Sequence, residues 1–341
     1  MRRPRRLLAA LALLAAAGAT LAWSAWRSLD EPLAVAEPLV FKVAPGSTLA
    51  RVAAQLAARG VVAQPRSWVL YARWRGLAAA IKAGEYEILP GSTPRRLLEQ
   101  MVSGQVLLHS ITVVDGWRTA DLLAALRRNP DVASTPGVAP EALMDRLGEP
   151  GVSPEGQFLP ETYRFPAGTS DLELLRQAHA ALARVLAAEW AARDPKVPLA
   201  SPEQLLIMAS IVEKESGLPR ELPQIAGLYL HRLAIGMRLQ ADPTVIYGLG
   251  ARYDGSLHTV DLQTDGPYNT YTRAGLPPTP IALPGAAALH ATAHPSATDA
   301  LYFVASDKDD GSHVFSATLA EHNAAVADYV AHLRRKSRGA P

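Results

Sequence analysis

Two glutamates separated by a single lysine, Glu213 and Glu215 in the segment IVEKESG, are the residues best placed to do chemistry. Which of them matters depends on how a helix turns them. Leu205, Met208, Ala209 and Val212 fall at i, i+3, i+4, i+7, the spacing of a buried helical stripe. At about 100° per residue Glu215 lies along the edge of that stripe, whereas Glu213 and Lys214 are expected to face water. A carboxyl group beside apolar surface at a helix C-terminus has two reasons for a raised pKa. Desolvation disfavours its charged form, and so does the negative end of the helix dipole. A carboxylic acid still protonated near neutral pH can protonate the leaving oxygen of a glycosidic bond. The spacing leaves a plainer alternative open, in which Glu215 is a solvated helix-end residue paired with Lys214, Arg220 or Arg232. Glu155 and Glu161 are the acids that could join Glu215 as a second carboxylate.

Other chemistries have less to work with. The chain has no cysteine, which removes disulfides, thiolate metal sites, a cysteine nucleophile and a cysteine-linked lipid anchor. His290, His294 and His313 form no recognisable metal spacing, and His294-Pro295 reads as structural. Net charge is only +2 and no basic cluster is interleaved with aromatics outside the N-terminus, so nucleic acid is not an expected partner.

The segment carrying the acid is marked at both ends. Ser201 is a good N-cap, Pro202 suits the first helical position, and Gln204 completes an S-x-x-Q capping box. Gly217 can supply a left-handed residue to end the helix, and Pro219 prevents a restart. The next helix, LPQIAGLYLHRLAIGM, is followed by stretches rich in Pro, Gly, Tyr, Asn and Thr, which read as long ordered loops of the kind that carry function. Upstream, Phe158, Tyr163 and Phe165 punctuate a Pro- and Gly-rich loop, where they either line a sugar cleft or pack the loop. Towards the C-terminus a strand-like LYFVAS leads into a hairpin turned by Asp310-Gly311, then a closing helix.

The N-terminus has its own logic. Arg2, Arg3, Arg5 and Arg6 precede residues 7–26, which contain no charge. About 20 apolar residues span a bilayer core, and the arginines should stay in the cytoplasm. A cleaved signal peptide is the competing reading, since small residues at 15–19 offer a protease site. Either way the rest of the chain is expected outside the cytoplasmic membrane. Beyond a short acidic spacer, a strand, a Pro-Gly-Ser-Thr turn and an amphipathic helix occur twice, at Pro45 and Pro90, with a weaker echo at Asp115-Gly116. The first copies resemble LysM modules, small βααβ units that bind the N-acetylated glycan of bacterial walls.

ASIVEKESG, followed by HRLAIGMRLQADPTVIYG, PYNTYTRAGLPPTPIALPG, AHP and LYFVAS, closely resembles the YceG-like endolytic murein transglycosylases over essentially the whole chain. Within E-K-E the family's catalytic acid maps onto Glu215, the glutamate that the helical face also selects. The resemblance implies lyase chemistry on peptidoglycan, cutting between N-acetylmuramic acid and N-acetylglucosamine within strands and leaving 1,6-anhydro ends, with no cofactor and no metal. It implies substrate contacts from Ser216, from Gln240, Asp242, Thr244 and Tyr247 in QADPTVIYG, and from Tyr268, Asn269, Thr270 and Tyr271 in YNTY. Asp242 has a plainer alternative as a cap on the turn at Pro243. Ala241 stands where the family has threonine.

The expected fold is α+β: a transmembrane anchor at 1–27, a linker at 28–38, a LysM-like module at 39–108, a mixed α+β catalytic domain at 109–336 and a disordered tail at 337–341. The expected place is the inner membrane, single-pass, with the catalytic part in the periplasm. Expected partners are peptidoglycan strands and, from family and topology, wall synthases of the elongation or division machinery. The rival functions are a hydrolytic muramidase and a non-catalytic wall-binding scaffold.

Overall fold

The Pro-Gly-Ser-Thr phrases are turns from strand to helix, and they build the first of two structural units. The computed structural model describes residues 3–136 and 139–339, with side chains for 11–136 and 139–336. It divides into a unit running up to His109 together with Arg164–Gly168, and a second formed by Ser110–Tyr163 and the residues from Thr169 onward.

In the first unit a helix α1 (Arg3–Arg27) precedes strand β1 (Leu39–Val43), helices α2 (Leu49–Ala58) and α3 (Pro65–Trp74), strand β2 (Gly84–Ile88) and helix α4 (Pro94–Ser103). At each Pro-Gly-Ser-Thr turn the glycine takes a left-handed φ, 73° at Gly46 and 84° at Gly91, which a side chain would resist. The threonine then caps the helix: Thr48 Oγ1 accepts from Arg51 N and Thr93 Oγ1 from Arg96 N. β1 and β2 pair antiparallel with Phe41 opposite Tyr86, and both rings are buried with Trp68, Leu97 and Met101. Leu29 and Leu33 of the acidic spacer are buried in the same core, and Leu33 N donates to Ser92 O at 2.7 Å. The spacer therefore packs as part of this unit.

No helix among the described residues is long and apolar enough to cross a membrane. The arginines at 2–6 and part of the apolar run at 7–26 lie outside the described side chains. Of the remainder of α1, Leu11, Leu13, Leu14, Leu21 and Trp23 are exposed. Trp26, at its end, meets Tyr71 and Trp74 edge to face at 5.9 and 6.1 Å.

After strand β3 (Leu108–Thr112) come α5 (Thr119–Arg128), β4 (Val132–Ala133), α6 (Leu143–Leu147), β5 (Thr162–Pro166), β6 (Thr169–Ser170), α7 (Asp171–Ala192), α8 (Pro202–Glu215) and α9 (Leu222–Ala234). They are followed by α10 (Asp242–Leu249), α11 (Thr259–Gln263), α12 (Ala286–Ala293), β7 (Tyr302–Ala305), β8 (His313–Ser316) and α13 (Leu319–Gly339). β3 pairs with β5, β4 runs parallel to β6, and β7 and β8 pair antiparallel with Phe303 opposite Phe315. The whole is mixed α+β.

α8 is the centre of the second unit. Every residue from Leu205 to Val212 is buried, because α7, α9, α10 and α12 all pack on it. A single buried stripe was the expectation; a helix enclosed by neighbours has no solvent face along its middle. Close packing has a local requirement at Gly227 of α9, where a Cβ would lie 2.3 Å from Ser296 O. Phe158, Tyr163 and Phe165 are buried and pack the loop, the second of their two readings. Two further expectations change. The β7–β8 connection is longer than a two-residue Asp-Gly turn: Ser306 N donates to Ser312 O, and positive φ falls on Asp309 and Gly311. α13 runs on to Gly339, so residues 337–339 of the expected disordered tail are helical, and residues 340–341 lie outside the described residues.

Candidate active site

α8 delivers Glu215 as its last residue, and both helix ends set its position. Ser201 Oγ accepts from Gln204 N at 3.2 Å, while Gln204 Oε1 accepts from Ala200 N, so the box closes one residue before the cap. At the other end the expected left-handed Gly217 is absent. Ser216 is extended at φ −144°, ψ 135°, and turns the chain away directly. Ser216 Oγ accepts from Leu218 N and donates to Glu221 Oε2. Glu221 is buried, and its carboxylate accepts from His313 N at 2.9 Å and meets His313 Nδ1 at 2.8 Å. Burial alone would raise Glu221; the His313 contacts outweigh it and hold the carboxyl below its usual range.

None of the cations offered as partners for Glu215 takes that role. Lys214 Nζ donates to Gly116 O, and Arg220 pairs with Asp310. Arg232 is buried and donates to the carbonyls of Leu301 and Leu239. The Glu215 carboxyl instead accepts a 2.5 Å hydrogen bond from the hydroxyl of Tyr229, itself buried on α9. Desolvation raises the Glu215 pKa to about 7. The Tyr229 hydrogen bond opposes that rise, the Asp242 charge adds to it, and the Arg232 charge opposes it. Glu213 is not the solvated residue expected. It is half-buried, accepts from Gly285 N at 3.0 Å, and is raised mainly by burial. A carboxylate tied to a backbone amide and outside the cavity is a structural group.

Glu215 opens into a cavity of about 390 Å³ that also holds Gln240, Asp242 and Tyr271. Asp242 starts α10 without capping it, and Tyr271 donates its phenolic proton to Asp242 Oδ1. The second carboxylate is thus Asp242. Glu155 is buried elsewhere, accepting from Thr119 and Tyr247, and Glu161 is exposed. Gln240 has a left-handed φ of 52°, unusual for a side-chain-bearing residue, and is pinned by its N–H to Thr270 O.

The remaining expected residues support the cavity without lining it. Thr270 Oγ1 accepts from Ala241 N and contacts Thr244 Oγ1, and Thr244 in turn donates to Ala241 O. Asn269 donates to the carbonyls of Asp261, Leu262 and Thr264 and accepts from Tyr271 N, so it shapes the loop that presents Tyr271. Tyr247 and Tyr268 meet edge to face at 4.8 Å, with Tyr247 bonded to Glu155 and Tyr268 to Thr279.

Sequence reading missed six lining residues: Tyr229, Arg232, Tyr302, Phe303, Leu319 and His322. Tyr229 and Arg232 were legible as an i, i+3 pair on one face of α9. Tyr302 stacks on His322 at 5.3 Å, and burial together with the Arg232 charge lowers the His322 pKa. Nothing in the spacing of β7 and α13 points to either.

The site therefore joins a carboxylic acid poised near neutrality to a polar, aromatic-walled cavity with a second carboxylate across it. The YceG-like family model matches residues 41–328. Over 314 residues the chain is 29% identical to the endolytic murein transglycosylase of Bacillus subtilis (strain 168), covering 85% of this chain and 84% of that one. It is 24% identical over 326 residues to the endolytic murein transglycosylase of Streptococcus pneumoniae serotype 2 (strain D39 / NCTC 7466), covering 84% of this chain and 57% of the longer relative. A solved YceG-like protein from Listeria monocytogenes is 27% identical, with a TM-score of 0.49 over 84% of this chain and 99% of that one. With its motifs and more than half its length matched, the chain belongs to the YceG-like family.

Proposed function

We propose that the protein is an endolytic peptidoglycan lytic transglycosylase, cutting between N-acetylmuramic acid and N-acetylglucosamine within glycan strands. The observation that carries this reading is Glu215 with its pKa raised to about 7 at the cavity. Near neutral pH a large share of such groups is protonated. Glu215 gives its proton to the glycosidic oxygen, the C1–O bond breaks, and positive charge develops at C1 and the ring oxygen. The Asp242 carboxylate faces the same cavity and stabilises that charge. Glu215, now a carboxylate held by Tyr229, removes the proton from the muramoyl 6-hydroxyl, whose oxygen closes on C1 to form the 1,6-anhydro ring. The substrate's own hydroxyl thus takes the place of the nucleophilic carboxylate or water used by ordinary glycosidases. Gln240 and Tyr271 offer an amide and a hydroxyl for N-acetyl and sugar oxygens.

The anchor and module complete the proposal. The apolar run at 7–26 and the exposed leucines of α1 support a single pass through the inner membrane, with the cavity in the periplasm. The β1–α2–α3–β2 order supports reading the first unit as a LysM-like glycan-binding module. Such an enzyme would end nascent strands beside the wall synthases of elongation or division.

Digestion of purified sacculi with wild type and Glu215→Gln, followed by mass spectrometry, tests the chemistry. The expected result is anhydromuramoyl products from wild type and almost none from the variant. Equal digestion by Glu215→Gln overturns the assignment and leaves a wall-binding scaffold; reducing ends point instead to a muramidase. Peptidoglycan pull-down unchanged by deletion of residues 39–103 would remove the glycan-binding role.

A further inference from the structure

Away from the cavity, three potential metal ligands converge where the ends of α7 and α12 meet. Glu189 Oε2 lies 3.1 Å from His290 Nδ1 and 3.3 Å from His294 Nε2. One ligand atom from each residue can be chosen so that all three lie within 4.8 Å of one another. Histidine spacing was read in the sequence as holding no metal pattern, but His290 and His294 are one helical turn apart and share a face. The missing third ligand is Glu189, which is distant in sequence and supplied by another helix.

The backbone holds this arrangement. His294 N donates to His290 O at 2.8 Å, and Asp194 N donates to Ala293 O at 2.9 Å, tying the chain just beyond α7 to the last turn of α12. Pro295 follows immediately, so the helix cannot continue and carry His294 away. The two imidazole rings sit 4.5 Å apart between centroids, tilted by 39°.

A dication suits this cluster, because it can take one lone pair from each imidazole and one from the carboxylate. Zinc–ligand bonds of about 2.0–2.2 Å in a tetrahedron put neighbouring ligand atoms about 3.3 to 3.6 Å apart, close to the 3.1 and 3.3 Å from Glu189 to the two histidines. Two imidazoles with a carboxylate suit zinc, whereas magnesium and calcium take oxygen ligands.

We propose that Glu189, His290 and His294 bind a zinc ion that clips α7 to α12, with a fourth position open to water on the exposed His290 side. Both helices pack on α8, so the clip braces the helix that carries Glu215. Zinc binding can be measured on the full chain in detergent, free of any histidine tag and stripped with chelator, by competition against a chromogenic chelator. The expected result is one equivalent bound, with a higher melting temperature in zinc. His290→Ala and Glu189→Gln should each weaken binding by about tenfold or more while melting like wild type in chelator. Absence of stoichiometric binding to wild type, or unchanged affinity in both variants, overturns the site. The readout is metal binding, so it stands or falls separately from the lytic activity.

Discussion

The hydroxyl of Tyr229 reaches Oε1 of Glu215 at 2.5 Å, from the middle of α9 to the last residue of α8. This one contact orients the acid and moderates a pKa that burial would otherwise push higher. It makes the chemistry of Glu215 adjustable from its neighbours.

The activity itself should titrate with Glu215. A general acid must be protonated, so kcat/KM on a soluble glycan fragment should fall as pH rises through about 7. Glu215→Gln should lower the rate by about 10²- to 10⁴-fold at every pH. An alkaline limb near the ordinary carboxyl range would contradict the assignment.

The same ionisation should be visible in stability. Glu215 is raised in the fold from an ordinary 4.5 to about 7, so the folded state holds the proton more tightly than the unfolded chain. The stabilisation is complete below about 4.5 and is lost as pH rises through about 7, by at most roughly 3 kcal/mol. Glu215→Gln carries no such cost. Its melting temperature should exceed that of wild type at pH 8 and converge with it near pH 4, measured by calorimetry.

Tyr229→Phe removes the hydrogen bond that favours the ionised acid. The alkaline limb should move to higher pH, while the rate falls because the carboxyl loses its orientation. A limb that stays in place would show that the phenol does not contact the acid in solution.

Asp242→Asn should move the limb the other way, since the Asp242 charge raises Glu215. The maximal rate should fall as well, because the developing positive charge loses a counter-charge. Opposite limb shifts in the two variants are the signature to look for in paired pH profiles.

Asn269→Ala should act through structure. It strips partners from three carbonyls and from Tyr271 N around the buried Asn269 amide, in a loop that is otherwise partly exposed. A group left without a partner out of reach of water costs about 1–3 kcal/mol. Denaturant titration should show a large destabilisation, with KM rising as Tyr271 loses its support.

What could be read without coordinates was local. The Pro-Gly-Ser-Thr turns behave as the residues dictate, because a left-handed glycine and a threonine cap act within one turn of chain. Ser201 likewise caps α8 as expected. Helical periodicity also separated Glu215 from Glu213, although the expectation that Glu213 faces water failed once Gly285 came to cover it.

The YNTY motif marks the limit. All four residues were expected in the cleft, yet only Tyr271 lines it, while Asn269 and Thr270 bond inward to hold the loop. A motif reveals that a loop is constrained; which side chain faces out depends on backbone angles that distant carbonyls and amides impose. Residue types and spacing marked the helix, the turns and Glu215 over Glu213, and the YceG-like resemblance implied that Glu215 is the acid. Tertiary packing alone decided that the acid is desolvated, that Tyr229 is its partner and that Asp242 faces it. Those properties belong to contacts between α8, α9 and α10, and burial and charge act through space between residues far apart in the chain.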